Sequence, residues 1–239
     1  MINATQTIGQ IAGRRPATIE VFEQFGIHYC CHGEDTLEAA CAAIGLDQEV
    51  VLSELNHAAD TSLAAPSLWT DPILESLIGH LCSNTELLLH RNLPRIQKLA
   101  RAVGSCPTHR HSQPREVARL ARKLVREISS HIAQESEMLF PAIQNIEQAY
   151  VGEAVLRTVP ASVRHSIAQM ERSHEAIGAL LSTLRRLTGD FDPGDSDCAT
   201  YRALCNDLKL LDREIRLEVH LENNVLYDRA RQLSQALCA

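Results

Sequence analysis

Residues Leu204–Val225 read LCNDLKLLDREIRLEVHLENNV, and the apolar positions return every three or four residues: Leu204, Leu208, Leu211, Ile215, then Glu218 and Glu222, then Val225. That spacing marks one buried face of an α-helix, here interrupted by two carboxylates. At about 100° per residue, Glu218 and Glu222 lie about 40° apart on the stripe, while His220 lies about 160° from each. His220 is therefore expected to face solvent.

The same reading extends outward to three further segments. The first stripe holds Ile78, Cys82, Glu86, Leu89, Leu93, Ile96, Ala100 and Val103. The second holds Val117, Leu120, Leu124, Ile128, His131, Glu135, Met138 and Ala142, and the third Val163, Ile167, Met170, His174, Ile177, Leu181 and Leu184. Turn clusters (GSCPTHRHSQP at 104–114, the stretch Gly152 to Pro160, TGDFDPGDSD at 188–197) separate four segments of roughly 28 to 38 residues, each about 40 to 55 Å long as a helix. The expected fold is all-α, an up-down four-helix bundle over 72–239. Residues 1–57, broken by Gly13, Pro16, Gly26, Gly33 and Gly45, predict a small helical N-terminal domain, and the small, polar residues 58–71 predict a linker.

Every stripe carries His or Glu near its middle. Burying four carboxylates and two imidazoles among aliphatics costs several kcal/mol per unpaired charge, comparable to the stability of a whole domain. Glu86, His131, Glu135, His174, Glu218 and Glu222 therefore read as ligands of two metal ions, with four carboxylates balancing two divalent cations; mixed His and carboxylate ligation suits iron or manganese. Glu86 and His131 fall at the same height across the first antiparallel connection. Taken singly these residues carry little: one His-x-x-x-Glu pair is expected by chance, a lone His174 is more often a satisfied core histidine, and Glu86 or Glu218 alone would snorkel to solvent. Their coincidence on four stripes carries the reading.

Composition narrows the function classes. The 239 residues are 45% hydrophobic and 4% aromatic, which favours helices over sheets, and the net charge of −7 argues against nucleic acid as a partner. No apolar run approaches a membrane span and MINATQTIGQ lacks signal-peptide features, so a cytoplasmic protein is expected. The eight cysteines include no Cys-x-x-Cys pair. Cys30 and Cys31 are adjacent, which disfavours an unstrained disulfide between them; they are the candidate reactive, catalytic thiols, with His28 and His32 placed to favour thiolate. The alternative is that Cys31 packs beside Cys41 and the flanking histidines are merely exposed.

GIHYCCHGEDTLEAAC (26–41), SSHIAQESEMLFPAI (129–143), MERSHEAIGALL (170–181) and LENNVL (221–226) together resemble the iron–sulfur cluster repair di-iron proteins of the ScdA/YtfE type, a hemerythrin-like family. The resemblance covers nearly the whole chain. It implies two non-haem iron ions, oxo- or carboxylate-bridged, with ligands matching at His131, Glu135, His174 and Glu222. Two positions depart, since Glu86 and Glu218 stand where the family has histidines; His90 and His220 are the alternatives to them. A His-Gly of the family is displaced here to His109 and His111, and His32 stands in place of a glycine. The implied function is repair of iron–sulfur clusters damaged by nitric oxide or oxidative stress, by iron donation. Nitric oxide reduction or peroxide chemistry at the same site, and reversible binding of nitric oxide or oxygen, are the other two readings, so enzyme status stays open. The partners implied are damaged iron–sulfur proteins, nitric oxide or oxygen as small ligands, and a second copy of the chain, with no nucleic acid and no membrane.

Overall fold

The structure, a computed structural model, describes residues 1–61, 73–105, 112–157, 160–194, 196 and 198–238. The described residues are helical, with one isolated bridge between Thr7 and Thr36. The N-terminal domain comprises α1 (Ile8–Arg14), α2 (Thr18–Phe25), α3 (Leu37–Ile44) and α4 (Gln48–Thr61). Thr7 and Thr36 cap α1 and α3 by accepting from the N–H groups of Gln10 and Ala39 (3.3 and 3.2 Å). Residues 58–61, assigned to the linker from sequence, form the last turn of α4; the rest of that stretch, with His109 and His111, lies outside the described residues.

Four long helices build the bundle. Helix α5 runs over 74–105 as Leu74–Leu87, a π-helical turn Leu88–Asn92, and Leu93–Ser105. Helix α6 runs over 112–150, with its π turn at Glu135–Leu139. Helix α7 is Pro160–Leu187, opened by a proline at a position that needs no N–H. Helix α8 runs over 199–236, with its π turn at Glu222–Leu226. The Glu147 carboxylate of α6 accepts from the N–H groups of Leu74 and Glu75 (2.6 and 3.1 Å), closing the start of α5. No helix among the described residues is long and apolar enough to cross a membrane.

The buried apolar residues form two clusters. One joins the N-terminal domain to Leu88–Val103, Val117–Ile132, Ile177–Leu184 and Leu204–Val219. The other holds Leu74–Leu81, Leu139–Ile146, Val163–Met170 and Leu221–Ala230. Pairing the start of α5 with the end of α6, and the start of α7 with the end of α8, is the up-down arrangement expected from sequence. Between the clusters lies one polar layer: Thr85, His131, Glu135, His174, Glu218 and Glu222, all buried.

The π turns correct the helix phases. A π turn inserts one residue into the 3.6 repeat, so the buried positions on its far side move by one. In α6, Met138 is 66% exposed, and Leu139 and Ile143 lie in the core in place of Met138 and Ala142. In α5, counting back from Leu93 at a regular repeat reaches Glu86, whereas through the π turn it reaches Leu88 and Thr85. Thr85 is buried and Glu86 is exposed.

His220 also departs from expectation, being fully buried rather than solvent-facing. The face of α8 opposite the bundle core is covered by the N-terminal domain: Tyr29 packs edge-on against His220 (5.5 Å between rings), and Asn224 Nδ2 lies 3.2 Å from the Tyr29 carbonyl oxygen. The sequence stripe locates one buried face of α8, and domain docking buries a second. Gly33 makes the close approach possible, since a Cβ there would stand 1.8 Å from Asn224 Oδ1. Gly33→Ala is expected to lower stability by about 1–3 kcal/mol, read as a fall in the urea midpoint. Gly79→Ala, on an open face of α5 with nothing within 4 Å, should instead raise stability by roughly 0.5–1 kcal/mol. Equal midpoints for Gly33→Ala and wild type would contradict the docking contact.

Candidate metal centre

Four side chains from three helices converge in the polar layer. His131 and Glu135 project from α6, His174 from α7 and Glu222 from α8, and one donor atom from each lies within 4.8 Å of all the others. His131 Nε2 is 3.2 Å from Glu135 Oε2, His174 Nε2 is 3.0 Å from Glu222 Oε2, and the two Nε2 atoms are 3.0 Å apart. Glu218 and Thr85 complete the polar lining of the cavity between them, about 10 Å³ in volume and otherwise walled by aliphatic side chains. Glu86 and His90, both exposed, are not brought to it, and His220 faces the N-terminal domain. The Thr85 hydroxyl is committed to the carbonyls of Leu81 and Cys82 (3.1 and 3.0 Å), so α5 offers the cluster no imidazole or carboxylate.

Two of the π turns begin at the residues Glu135 and Glu222 themselves. A π turn widens the helix locally and re-aims the side chain it carries, which is why such turns gather at functional sites. Sequence periodicity carries no sign of them.

The electrostatics show what the layer lacks. Burial, then the charges of Glu222 and Glu135, pushes the Glu218 carboxyl up to about 9. Burial and the neighbouring Glu135 charge push Glu222 well above the ordinary carboxylate range. Burial acts on Glu135 the same way but is outweighed by the hydrogen bond from His131, the electrostatic influence of His131 and His174, and, least, the Tyr227 hydroxyl, which together hold it low. The Tyr227 hydroxyl donates to Glu135 Oε1. Burial also lowers His174, favouring neutral imidazole. The neutral His174 imidazole and the crowded Glu218 and Glu222 carboxylates, whose proton affinity is raised, form with His131 and Glu135 a donor set in want of a cation. Its 3.0 Å spacings fit one: donors at right angles around an ion with bonds of about 2.1 Å stand about 3.0 Å apart.

Beside the layer lie the adjacent cysteines, their Sγ atoms 3.7 Å apart. Cys30 is buried and Cys31 half-buried, its Sγ facing Gly178 of α7. A hydrogen bond from Cys30 and the positive charge of Arg216 lower Cys31, while Cys30 is raised. His28, expected to favour thiolate, does not supply that charge: burial and Arg216 lower it toward its neutral form. Arg216, itself buried, is held by Asp212 (3.1 Å) and was missed from sequence because it reads as a surface arginine on a helix. A pocket of about 230 Å³ is lined by both thiols, His32, Asp212, Arg216 and His174. It shares His174, Ile215 and Val219 with the metal cavity, so the thiols face the same imidazole that the cluster uses.

Comparison with known proteins agrees with this geometry. Residues 88–230 match the hemerythrin HHE cation binding domain, and residues 4–59 match ScdA_N, a domain of unknown function. The chain is 29% identical over 225 residues to the iron–sulfur cluster repair protein YtfE of Escherichia coli O8 (strain IAI1), covering 94% of this chain and 96% of that protein. The same figures hold for YtfE of Shigella boydii serotype 4 (strain Sb227) and of Escherichia coli O157:H7.

A pH test follows from Glu218. Its carboxyl keeps its proton to about 9 when folded but loses it near the ordinary value of 4.5 when unfolded. Across that window the unfolded chain binds fewer protons, so stability is greatest at low pH and falls as pH rises. The urea midpoint of metal-free protein should therefore drop between about pH 6 and about pH 8.5, and drop less in Glu218→Gln. A wild-type profile as flat as that of Glu218→Gln would mean that the carboxylate reaches solvent.

Proposed function

Because the chain belongs to the hemerythrin HHE cation-binding family, we propose that it is a non-haem di-iron protein serving repair of damaged iron–sulfur clusters by iron donation. The observation that carries this reading is the convergence of His131, Glu135, His174 and Glu222 in the middle of an aliphatic core. Hard carboxylates with two imidazoles and no thiolate favour iron or manganese over copper or structural zinc. Glu218 would serve as a further ligand to the second ion, and a set this rich in carboxylate holds ferric iron well and lowers its potential. The near-full-length similarity to proteins named for iron–sulfur cluster repair supports that role over oxygen carriage.

Iron is here the cargo, a labile ion to be delivered to a client. The chain's own residues supply the rest. His174, shared between the cluster and the thiol pocket, is the wall through which the two sites communicate. Cys31, biased toward thiolate, is a soft donor at the pocket, placed to receive an ion leaving the cluster. Damaged iron–sulfur proteins are the proposed clients, and nitrosative or oxidative stress the setting.

A second reading has its own support. With Thr85 tied to its own helix, α5 leaves one side of the cluster short of a donor, a place where nitric oxide or oxygen could bind. Scavenging or reduction of nitric oxide would then be the activity. The two readings separate in one assay: iron-57-loaded protein is mixed with a dehydratase whose [4Fe–4S] cluster has lost iron. Donation predicts recovered dehydratase activity and iron-57 in its cluster, slowed in Cys31→Ser and abolished in Glu222→Ala. No recovery beyond that given by free ferrous ion, with nitrous oxide formed from nitric oxide once electrons are supplied, would overturn donation in favour of the second reading.

A further inference from the structure

Two asparagines follow Glu222 on the π turn of α8, and their side chains leave the metal layer for the N-terminal domain. Asn223 Nδ2 donates to the Cys30 carbonyl oxygen (3.1 Å), while its Oδ1 lies 2.9 Å from His174 Nδ1. A carbonyl oxygen can only accept, so the amide must turn its NH₂ toward Cys30 and its oxygen toward His174. An amide oxygen can only accept as well, so the proton on His174 sits on Nδ1. His174 Nε2 is then bare, and Nε2 is the atom that faces His131 and Glu222.

Only this tautomer offers the cluster a lone pair. Metal-bound histidines usually have their other nitrogen fixed in this way, and loss of the fixing partner typically costs 10–100-fold in metal affinity. What is unusual here is where the partner is anchored. The free end of the amide is held by the backbone of the adjacent-cysteine segment in another domain. Asn224 Nδ2 reinforces the anchor, lying 3.2 Å from the Tyr29 carbonyl oxygen and 2.9 Å from His220 Nδ1.

We propose that Asn223 is a positioning residue that couples the two sites: docking of the Cys30–Cys31 segment fixes the Asn223 amide, which fixes His174 in its metal-binding tautomer. Rearrangement of the thiol segment, whether by a client, an ion or oxidation, is thereby transmitted to a ligand of the metal cluster through two hydrogen bonds. The coupling rests on the reading of the polar layer as a metal centre, but the tautomer can be measured without metal.

Two variants separate the two ends of the amide. Asn223→Asp keeps an acceptor for His174 but cannot donate to the Cys30 carbonyl; Asn223→Leu loses both. With cobalt(II) as the probe and a chelator as competitor, full-length Asn223→Leu should release metal about 10–100-fold more readily, and Asn223→Asp should stay within about threefold of wild type. Alkylation of Cys31, followed by mass spectrometry, should be faster than wild type in both variants. In metal-free protein, ¹⁵N NMR should find His174 protonated at Nδ1 in wild type and Asn223→Asp, and a mixture of tautomers in Asn223→Leu. An Nδ1-protonated His174 in Asn223→Leu, or wild-type Cys31 reactivity in Asn223→Asp, overturns the proposal. If wild type retains no cobalt, the metal-centre reading fails instead, and the tautomer and alkylation results still decide the role of Asn223.

Discussion

The arrangement depends on one electrostatic constraint: carboxylates and imidazoles placed where an aliphatic core should be. Each buried carboxylate costs several kcal/mol unless it is neutralised or paired, and three stand here within one layer. Protons can neutralise some of them, as the high value for Glu218 shows. A multivalent cation would satisfy all of them together and also use the bare Nε2 of His174, which a proton would block. The bundle is organised around that layer. Its core is divided into two apolar clusters above and below, and the helices widen into π turns at Glu135 and Glu222, the points where they deliver carboxylates.

The second constraint is that the cluster is not isolated from the N-terminal domain. That domain shares a continuous apolar core with one half of the bundle, and its adjacent cysteines lie against α7 and α8 rather than in solvent. Asn223, Asn224 and His220 use the face of α8 that the bundle leaves open. One short stretch, Glu218 to Asn224, thus supplies two of the three carboxylates of the layer and the contacts that seat the thiols above it.

Much of this was legible in the sequence. The helical repeat alone locates the bundle, the stripe of α7 without exception, and the polar positions His131, Glu135, His174, Glu218 and Glu222. It fails where the repeat itself fails. The π turn of α5 shifts the phase by one residue, which is why Thr85 rather than Glu86 faces the cavity. His220 was misplaced for a different reason: a periodic pattern reports one buried face, and α8 has two. Tyr227, Asn223 and Arg216 escape a search for ligands because they act on ligands and thiols rather than on metal. The paired asparagines after Glu222 were a visible signal, since two consecutive amides in a helix are poor helix formers that need another reason to be there.

The most direct test of the central claim is Mössbauer spectroscopy, with iron quantitation, on protein expressed in iron-57 medium, for wild type, Glu86→Ala and Glu222→Gln. Two high-spin irons with nitrogen and oxygen ligands in wild type and in Glu86→Ala, and a marked loss in Glu222→Gln, are the expected results. A folded wild type without iron, or loss of iron in Glu86→Ala with retention in Glu222→Gln, would contradict a metal centre built on the buried layer.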